Sequence, residues 1–259
     1  MNHYFLSLLL AATPFLAFAQ GDQQQIARNG ASEIHIYGNM SGVYINTGGT
    51  DVIEVNHVLT VEGEDRPDLR KLEVIRDGSM IKILEREPSN ELLKDKVASH
   101  NLSISHKRSG KHHKRSYGCT KANAYLEVTI PVGMKITVES LYGGIEAREV
   151  KDMPMAKSTY GLIDVVFAAD AKVGGLDYES NYQSVDVTLP ADVAADLRLS
   201  TSYGNLYTDF DFIIPANGTT GHQRDHGHGK EMVKGSLNGG GRIISLTSPY
   251  KNVYLRKRK

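Results

Sequence analysis

One phrase recurs through the second half of the chain, and no other feature limits the fold as much. It runs Ser140-Leu-Tyr142-Gly143-Gly-Ile145-Glu-Ala147, then Ser158-Thr-Tyr160-Gly161-Leu-Ile163-Asp-Val165, then Ser180-Asn-Tyr182-Gln183-Ser-Val185-Asp-Val187, then Thr201-Ser-Tyr203-Gly204-Asn-Leu206-Tyr-Thr208. The tyrosines stand 18, 22 and 21 residues apart. A degenerate copy, Ser236-Leu-Asn238-Gly239-Gly-Gly241-Arg-Ile243, follows an insertion, and Ser248-Pro-Tyr250-Lys-Asn-Val253-Tyr-Leu255 closes the series. Ile36-Tyr37-Gly38 is an earlier relative with poorer flanks.

Apolar residues fall three and five places after each tyrosine, which is the period of two of a half-buried strand. The residues before the turn alternate too, with Leu197, Leu199 and Thr201 set against Arg198 and Ser200. Each copy is therefore expected to be strand, tight turn, strand. The glycine after the tyrosine offers a backbone free to take positive φ, and Gln183 shows that the requirement is not absolute.

Units of about 20 residues with one narrow apolar face cannot fold alone and must stack. The expected fold is all-β: a single elongated β-solenoid, parallel β-helix-like, with coils clearest in 131–256. Stacking would bring equivalent side chains to about 4.8 Å and align Tyr142, Tyr160, Tyr182 and Tyr203 as an internal structural ladder, with Tyr250 at its fraying end. A β-sandwich with hairpins at similar spacing is the rival. The solenoid is favoured because a sandwich does not demand the same residue at the same turn.

The N-terminal part lacks the full phrase and is expected to be an irregular β-strand cap. Its candidate strands are 43–46, 51–62, 70–76 and 80–85, with Asp77-Gly78 as a hairpin turn between the last two. A short helix from Glu91 to Val97, capped by Ser89 or Asn90, precedes strands at 101–105 and 124–130 that flank a polar loop. Cap and coils form one domain, 33–259, behind a flexible segment at 20–32.

Compartment is read from the first residues. Tyr4 to Phe18 is almost wholly apolar and ends in Ala17-Phe18-Ala19, so residues 1–19 are expected to be a signal peptide cleaved near Ala19-Gln20. The run is shorter than the roughly 20 residues of a spanning helix, and nothing later approaches one, so the mature chain has no expected transmembrane segment and belongs in the periplasm, on the surface or outside the cell. Cys119 is the only cysteine, which rules out an intrachain disulfide. With 30 basic against 30 acidic residues there is no global field to attract nucleic acid or an anionic membrane.

These features together, with connectors such as Ile130-Pro131-Val-Gly and Leu189-Pro190-Ala-Asp, resemble the bacterial putative-adhesin family, once a domain of unknown function and related to the GIN-type adhesin head domain. The resemblance covers roughly 34–256. It implies an envelope-associated β-repeat protein with no catalytic residues to carry over, and its two His-rich insertions depart from the pattern.

Those insertions hold the candidate site residues. The loop from His106 to Arg115 carries Lys107, Arg108, Lys111, Lys114 and Arg115, a patch suited to polyanions such as lipid phosphates or acidic glycans. It has no aromatic residue for base stacking, which disfavours nucleic acid. The insertion from Pro215 to Lys234 holds His222, His226 and His228, side chains that suit zinc or copper, in a Gly-rich setting that offers no rigid frame. Glu146, Asp164 and Asp186 recur beside the apolar pair and would stack on the outer face. There is no G-x-S-x-G elbow, H-E-x-x-H, phosphate loop or dinucleotide fingerprint, so no cofactor is expected. The functional expectation is a non-catalytic exported protein presenting a binding surface to a glycan, envelope or surface-protein partner. The alternative is a carbohydrate-active β-helix enzyme of polysaccharide lyase or hydrolase type, built on the carboxylate row.

Overall fold

A computed structural model describes residues 22–49, 51–86, 103–104, 121–213, 221–223 and 230–259. The chain is all-β over these residues: 21 strands, one 3-10 turn at Pro67–Leu69 and no α-helix. No helix among the described residues is long and apolar enough to cross a membrane. The expected signal peptide at 1–19, the expected helix at 91–97 and Cys119 lie outside them.

Two mixed sheets divide the strands, and neither closes into a barrel. The first runs β1 (Asp22–Ala27), β4 (Val52–Val61), β9 (Lys121–Pro131), β3 (Gly42–Gly48), β11 (Ile145–Val150), β13 (Ile163–Phe167), β15 (Val185–Leu189), β21 (Val253–Lys257), β17 (Leu206–Thr208). Short β5 (Glu64–Asp65) and β8 (Ser103–Ile104) flank β4 and β9. The second runs β18 (Gly221–Gln223), β19 (Lys230–Leu237), β16 (Ala195–Thr201), β20 (Arg242–Ser248), β14 (Leu176–Ser180), β12 (Met155–Ser158), β10 (Lys135–Ser140), β2 (Glu33–Gly38), β7 (Met80–Glu85), β6 (Leu72–Asp77).

The repeated phrase sits where the chain steps from one sheet to the other. β10–β11, β12–β13, β14–β15, β16–β17 and β20–β21 each place their first strand in the second sheet and their second strand in the first, and equivalent strands pair in parallel. Ile145, Ile163, Val185 and Val253 share one register line, and Ala147, Val165, Val187 and Leu255 another. Both lines face the second sheet's Val138, Ala156, Tyr178, Leu246 and Leu199, and all are buried. Alternation in the sequence thus becomes a single apolar seam between the sheets. Tyr178 fills the place beside Ala156. Its hydroxyl donates to Met153 O at 2.7 Å, and complete burial pushes its pKa well above the ordinary tyrosine value.

Several expectations need correction. The copies do not stack in chain order, because β20–β21 inserts between β14–β15 and β16–β17. Ser236–Ile243 is no strand-turn-strand copy: β19 and β20 flank β16 on opposite sides of the same sheet, and residues 238–241 cross its end. That crossing is left-handed, with φ of 46° at Asn238, 92° at Gly239, 83° at Gly240 and 155° at Gly241. Gly143, Gly161 and Gly204 are not positive-φ residues. They are glycine because a Cβ at each would overlap the backbone carbonyl of the turn beneath, at Ser41, Gly143 and Lys251 respectively.

The N-terminal part matches the alternation closely at β3, β4, β6 and β7, and Asp77 pairs with Met80 across a hairpin whose Gly78 has φ 58°. Residues 22–27, read as flexible, form β1 against β4, with Ile26 packed into the core. β2–β3 is itself a strand-turn-strand unit in register with β10–β11. Its turn hydrogen bonds set Met40, rather than Tyr37, at the level of Tyr142.

Candidate functional site

The turn edge carries the tyrosines. Their rings form one column in the order Tyr142, Tyr160, Tyr182, Tyr250, Tyr203, with centroids 5.4, 4.9, 5.1 and 5.3 Å apart and planes within 13° of parallel. The column is not internal, since the rings are 44–56% exposed. Tyr250 is not its end either, because it stands between Tyr182 and Tyr203. Each inner ring has both faces covered by neighbours, which leaves edges and hydroxyls to solvent, so a sugar ring finds no face to lie upon along the inner column.

Beneath the column runs a ladder of buried hydroxyls. Ser158 Oγ accepts from Gly161 N–H at 2.9 Å and donates to Gly143 O in the turn below at 3.1 Å. Ser180 repeats this with Gln183 N and Gly161 O, Ser248 with Lys251 N and Gln183 O, and Thr201 with Gly204 N and Lys251 O. One small hydroxyl therefore satisfies a donor in its own turn and an acceptor in the next.

The outer face of the first sheet holds the acidic row. Glu146, Asp164 and Asp186 are register partners, as their recurrence implied, but arginines two places further along neutralise them. Arg148 lies 2.9 Å from both Glu146 and Asp164. Arg256 donates from Nε and Nη2 to the two carboxylate oxygens of Asp186, at 2.7 and 2.9 Å, and lies over the Tyr254 ring. That bidentate bond outweighs the cost of desolvation and raises the Arg256 pKa above its ordinary value. All three carboxylates of the row are engaged with arginine.

Next to this row lies a shallow groove of about 290 Å³, lined by Tyr44 and Asn46 of β3, Tyr125 and Glu127 of β9, and Glu146 and Arg148 of β11. The two tyrosine rings meet edge to face, with centroids 6.0 Å apart and an interplanar angle of 87°. Burial, helped by the Glu127 charge, raises the Tyr125 pKa, so the phenol stays a neutral donor. The groove combines a partly buried aromatic wall with carboxylate, amide and guanidinium groups at its rim.

The fold is similar to that of a solved structure. The crystal structure of a putative cell adhesion protein from Clostridium sporogenes ATCC 15579 superposes with a TM-score of 0.59 over 92% of this chain and 100% of that one, at 11% identity. A putative adhesin from Bacteroides fragilis NCTC 9343 overlaps 93% of this chain and 98% of its own, but at a TM-score of 0.29 and 8% identity that likeness carries no weight. No protein-family model matches the sequence, and no curated protein matches it. What is shared with the clostridial protein is the fold.

Of the residues singled out in the sequence, Lys107, Arg108, Lys111, Lys114, Arg115, His226 and His228 lie outside the described residues, and His222 falls in β18 opposite Glu231. No group of three or more His, Cys, Asp or Glu able to hold a metal occurs among the described residues. The groove escaped sequence reading because its two tyrosines are 81 positions apart and belong to no repeat. Their one visible signal is an outward-facing aromatic in each of two alternating strands.

Proposed function

We propose that this chain is an exported, non-catalytic envelope or surface protein of the adhesin-like kind, whose coils stack as a β-solenoid behind a cleaved leader and whose first sheet offers a glycan-binding face. The groove at Tyr44 and Tyr125 carries this reading. A sugar presents an apolar C–H face and a rim of hydroxyls, and an aromatic wall edged by Asn46, Glu127 and Arg148 matches both. Its volume is near the small end of ligand pockets, about 300 Å³, which suits one or two rings of a chain lying across the sheet. The fold shared with the clostridial cell adhesion protein agrees with this role. The neutralised acidic row speaks against the carbohydrate-active enzyme, because glycoside chemistry requires a carboxyl pair free to act as acid and as base or nucleophile.

The test is a glycan and matrix-protein array probed with the mature chain, followed by the hits on Tyr125→Ala and Tyr44→Ala. Binding that falls at least tenfold in both variants, with no cleavage of the bound glycan, supports the reading. Full-strength binding by both variants moves the site elsewhere, and turnover of a bound polysaccharide reinstates the enzyme.

A further inference from the structure

A second cavity belongs to neither the tyrosine column nor the groove. It is about 390 Å³ and sits at the end of the core, where the edge of each sheet supplies a wall: Gln24 of β1 and His57 of β4 on one side, Arg70, Lys71 and Glu73 leading into β6 on the other, with Arg86 just beyond β7. Three cations thus face a single carboxylate. Arg70 is tied to Asp65, and Arg86 pairs with Glu73 at 2.7 Å, whereas Lys71 makes no ion pair among the described residues.

His57 gives the cavity its chemical character. The residue is 1% exposed. Its Nε2 lies 3.3 Å from Glu85 Oε1 and 3.4 Å from Ser41 Oγ, while its Nδ1 is buried without a hydrogen-bond partner. Ser41 already donates its proton to Glu85 Oε1, at 2.6 Å, and the carboxylate can only accept. Nε2 is therefore the donor, and Nδ1 is either a lone pair with no donor or, in the imidazolium, an N–H with no acceptor. Buried ring nitrogens are ordinarily satisfied, so one left over in a cavity wall calls for an occupant. Lysine and arginine surround the space, so the group that fits it carries negative charge.

We propose that this cavity is an oxyanion site that takes a carboxylate, sulfate or phosphate group, held by Lys71 and Arg86 with His57 in its wall. The site is independent of the groove, so an acidic ligand could occupy it whether or not the groove binds sugars.

The probes are sodium sulfate, inorganic phosphate and sodium glucuronate, titrated into the mature chain at constant ionic strength against sodium chloride. Binding is read by calorimetry and by the ring ¹⁵N resonances of His57. At least one of the three should bind saturably and move the His57 resonances, and Lys71→Glu with Arg86→Glu should weaken it tenfold or more. Lys172→Glu, the same charge change at an exposed position outside the cavity, should alter the affinity less than twofold. A tetrahedral preference would assign sulfate or phosphate, and a glucuronate preference an acidic sugar; either supports the site. It is overturned if chloride reproduces the effect, if the double variant binds like the parent, or if the His57 resonances stay still while the anion binds.

Discussion

Two regions of the stack solve the same backbone problem differently. In the turns from β12 onward, the inward N–H of each turn is taken by a serine or threonine hydroxyl that passes its own proton to the turn beneath. At β2–β3 the corresponding place is Gly38, which has no hydroxyl, and Glu85 takes over from the next strand. Its carboxylate reaches past Gly38 to accept Asn39 N at 2.7 Å, Met40 N at 3.0 Å, Ser41 N at 2.9 Å and Ser41 Oγ at 2.6 Å. A side chain on Gly38 would strike Val43 and Ser41 O. A hydroxyl suffices where a like turn lies below; where the series gives out, a buried charge does the work. The repeats should therefore be indifferent to pH and the N-terminal end should not.

Removing the charge is the most damaging way to probe that contrast. Glu85→Ala strands three backbone N–H groups, Ser41 Oγ and His57 together, and loss of one partner from such a buried network costs about 3–5 kcal/mol. Chemical denaturation at pH 7 measures it, and a loss under about 1 kcal/mol would mean that water replaces the carboxylate. Burial alone would raise the Glu85 pKa, but the hydrogen bonds from His57 and Ser41 and the His57 charge outweigh it and hold the value below its ordinary 4.5. A depressed carboxylate contributes fully above that unfolded value and loses its contribution as the pH falls from there through the folded one. The stability gap between the parent and Glu85→Gln should accordingly narrow below about pH 4.5.

Gly161→Ala probes the close approach of the coils. The new methyl would sit on Gly143 O, backbone that cannot turn aside, and overpacking of this kind costs about 3 kcal/mol. Gly30→Ala, which meets open space, is the control for added bulk, although its φ of 78° adds strain of its own. Ser180→Ala comes next. It leaves Gln183 N and Gly161 O unsatisfied for about 1–3 kcal/mol, and the loss should be the same at pH 7 and pH 4. A strong pH dependence there would erase the distinction between the two regions.

The contrast also explains what the sequence made visible. Regular copies announce themselves, so the turns at Tyr142, Tyr160, Tyr182 and Tyr203 and the alternation on either side of them were legible, as was the hairpin at Asp77-Gly78. Order in the stack was not: which coil lies on which is decided by register between strands far apart in the chain, and β20–β21 entered a place that no local pattern marks. The glycines were identified for the wrong reason, because close approach between coils and left-handed backbone select the same residue. Glu85 and His57 carry no repeat at all. A glutamate ending an alternating strand reads as a solvated edge, and only the pairing of β2 with β7 brings it level with the serine ladder.

The finest test is within the column itself. Tyr182 is stacked on both faces, against Tyr160 and Tyr250, while Tyr142 stacks on a single ring, Tyr160, among the described residues. Each aromatic contact is worth about 0.5–1.5 kcal/mol beyond the area it buries. Tyr182→Ala should therefore destabilise by about 1 kcal/mol more than Tyr142→Ala, and Tyr250→Ala should behave like Tyr182→Ala even though it lies nearest the chain's end. The residues are 44% exposed at Tyr182 and 46% at Tyr142, too similar for burial alone to produce that gap. Replacing either by phenylalanine keeps the stack and removes only an outward hydroxyl, so both phenylalanine variants should stay within about 0.5 kcal/mol of the parent. Equal losses at Tyr182 and Tyr142 would show that contacts along the column contribute nothing and that the tyrosines are held by their own turns alone.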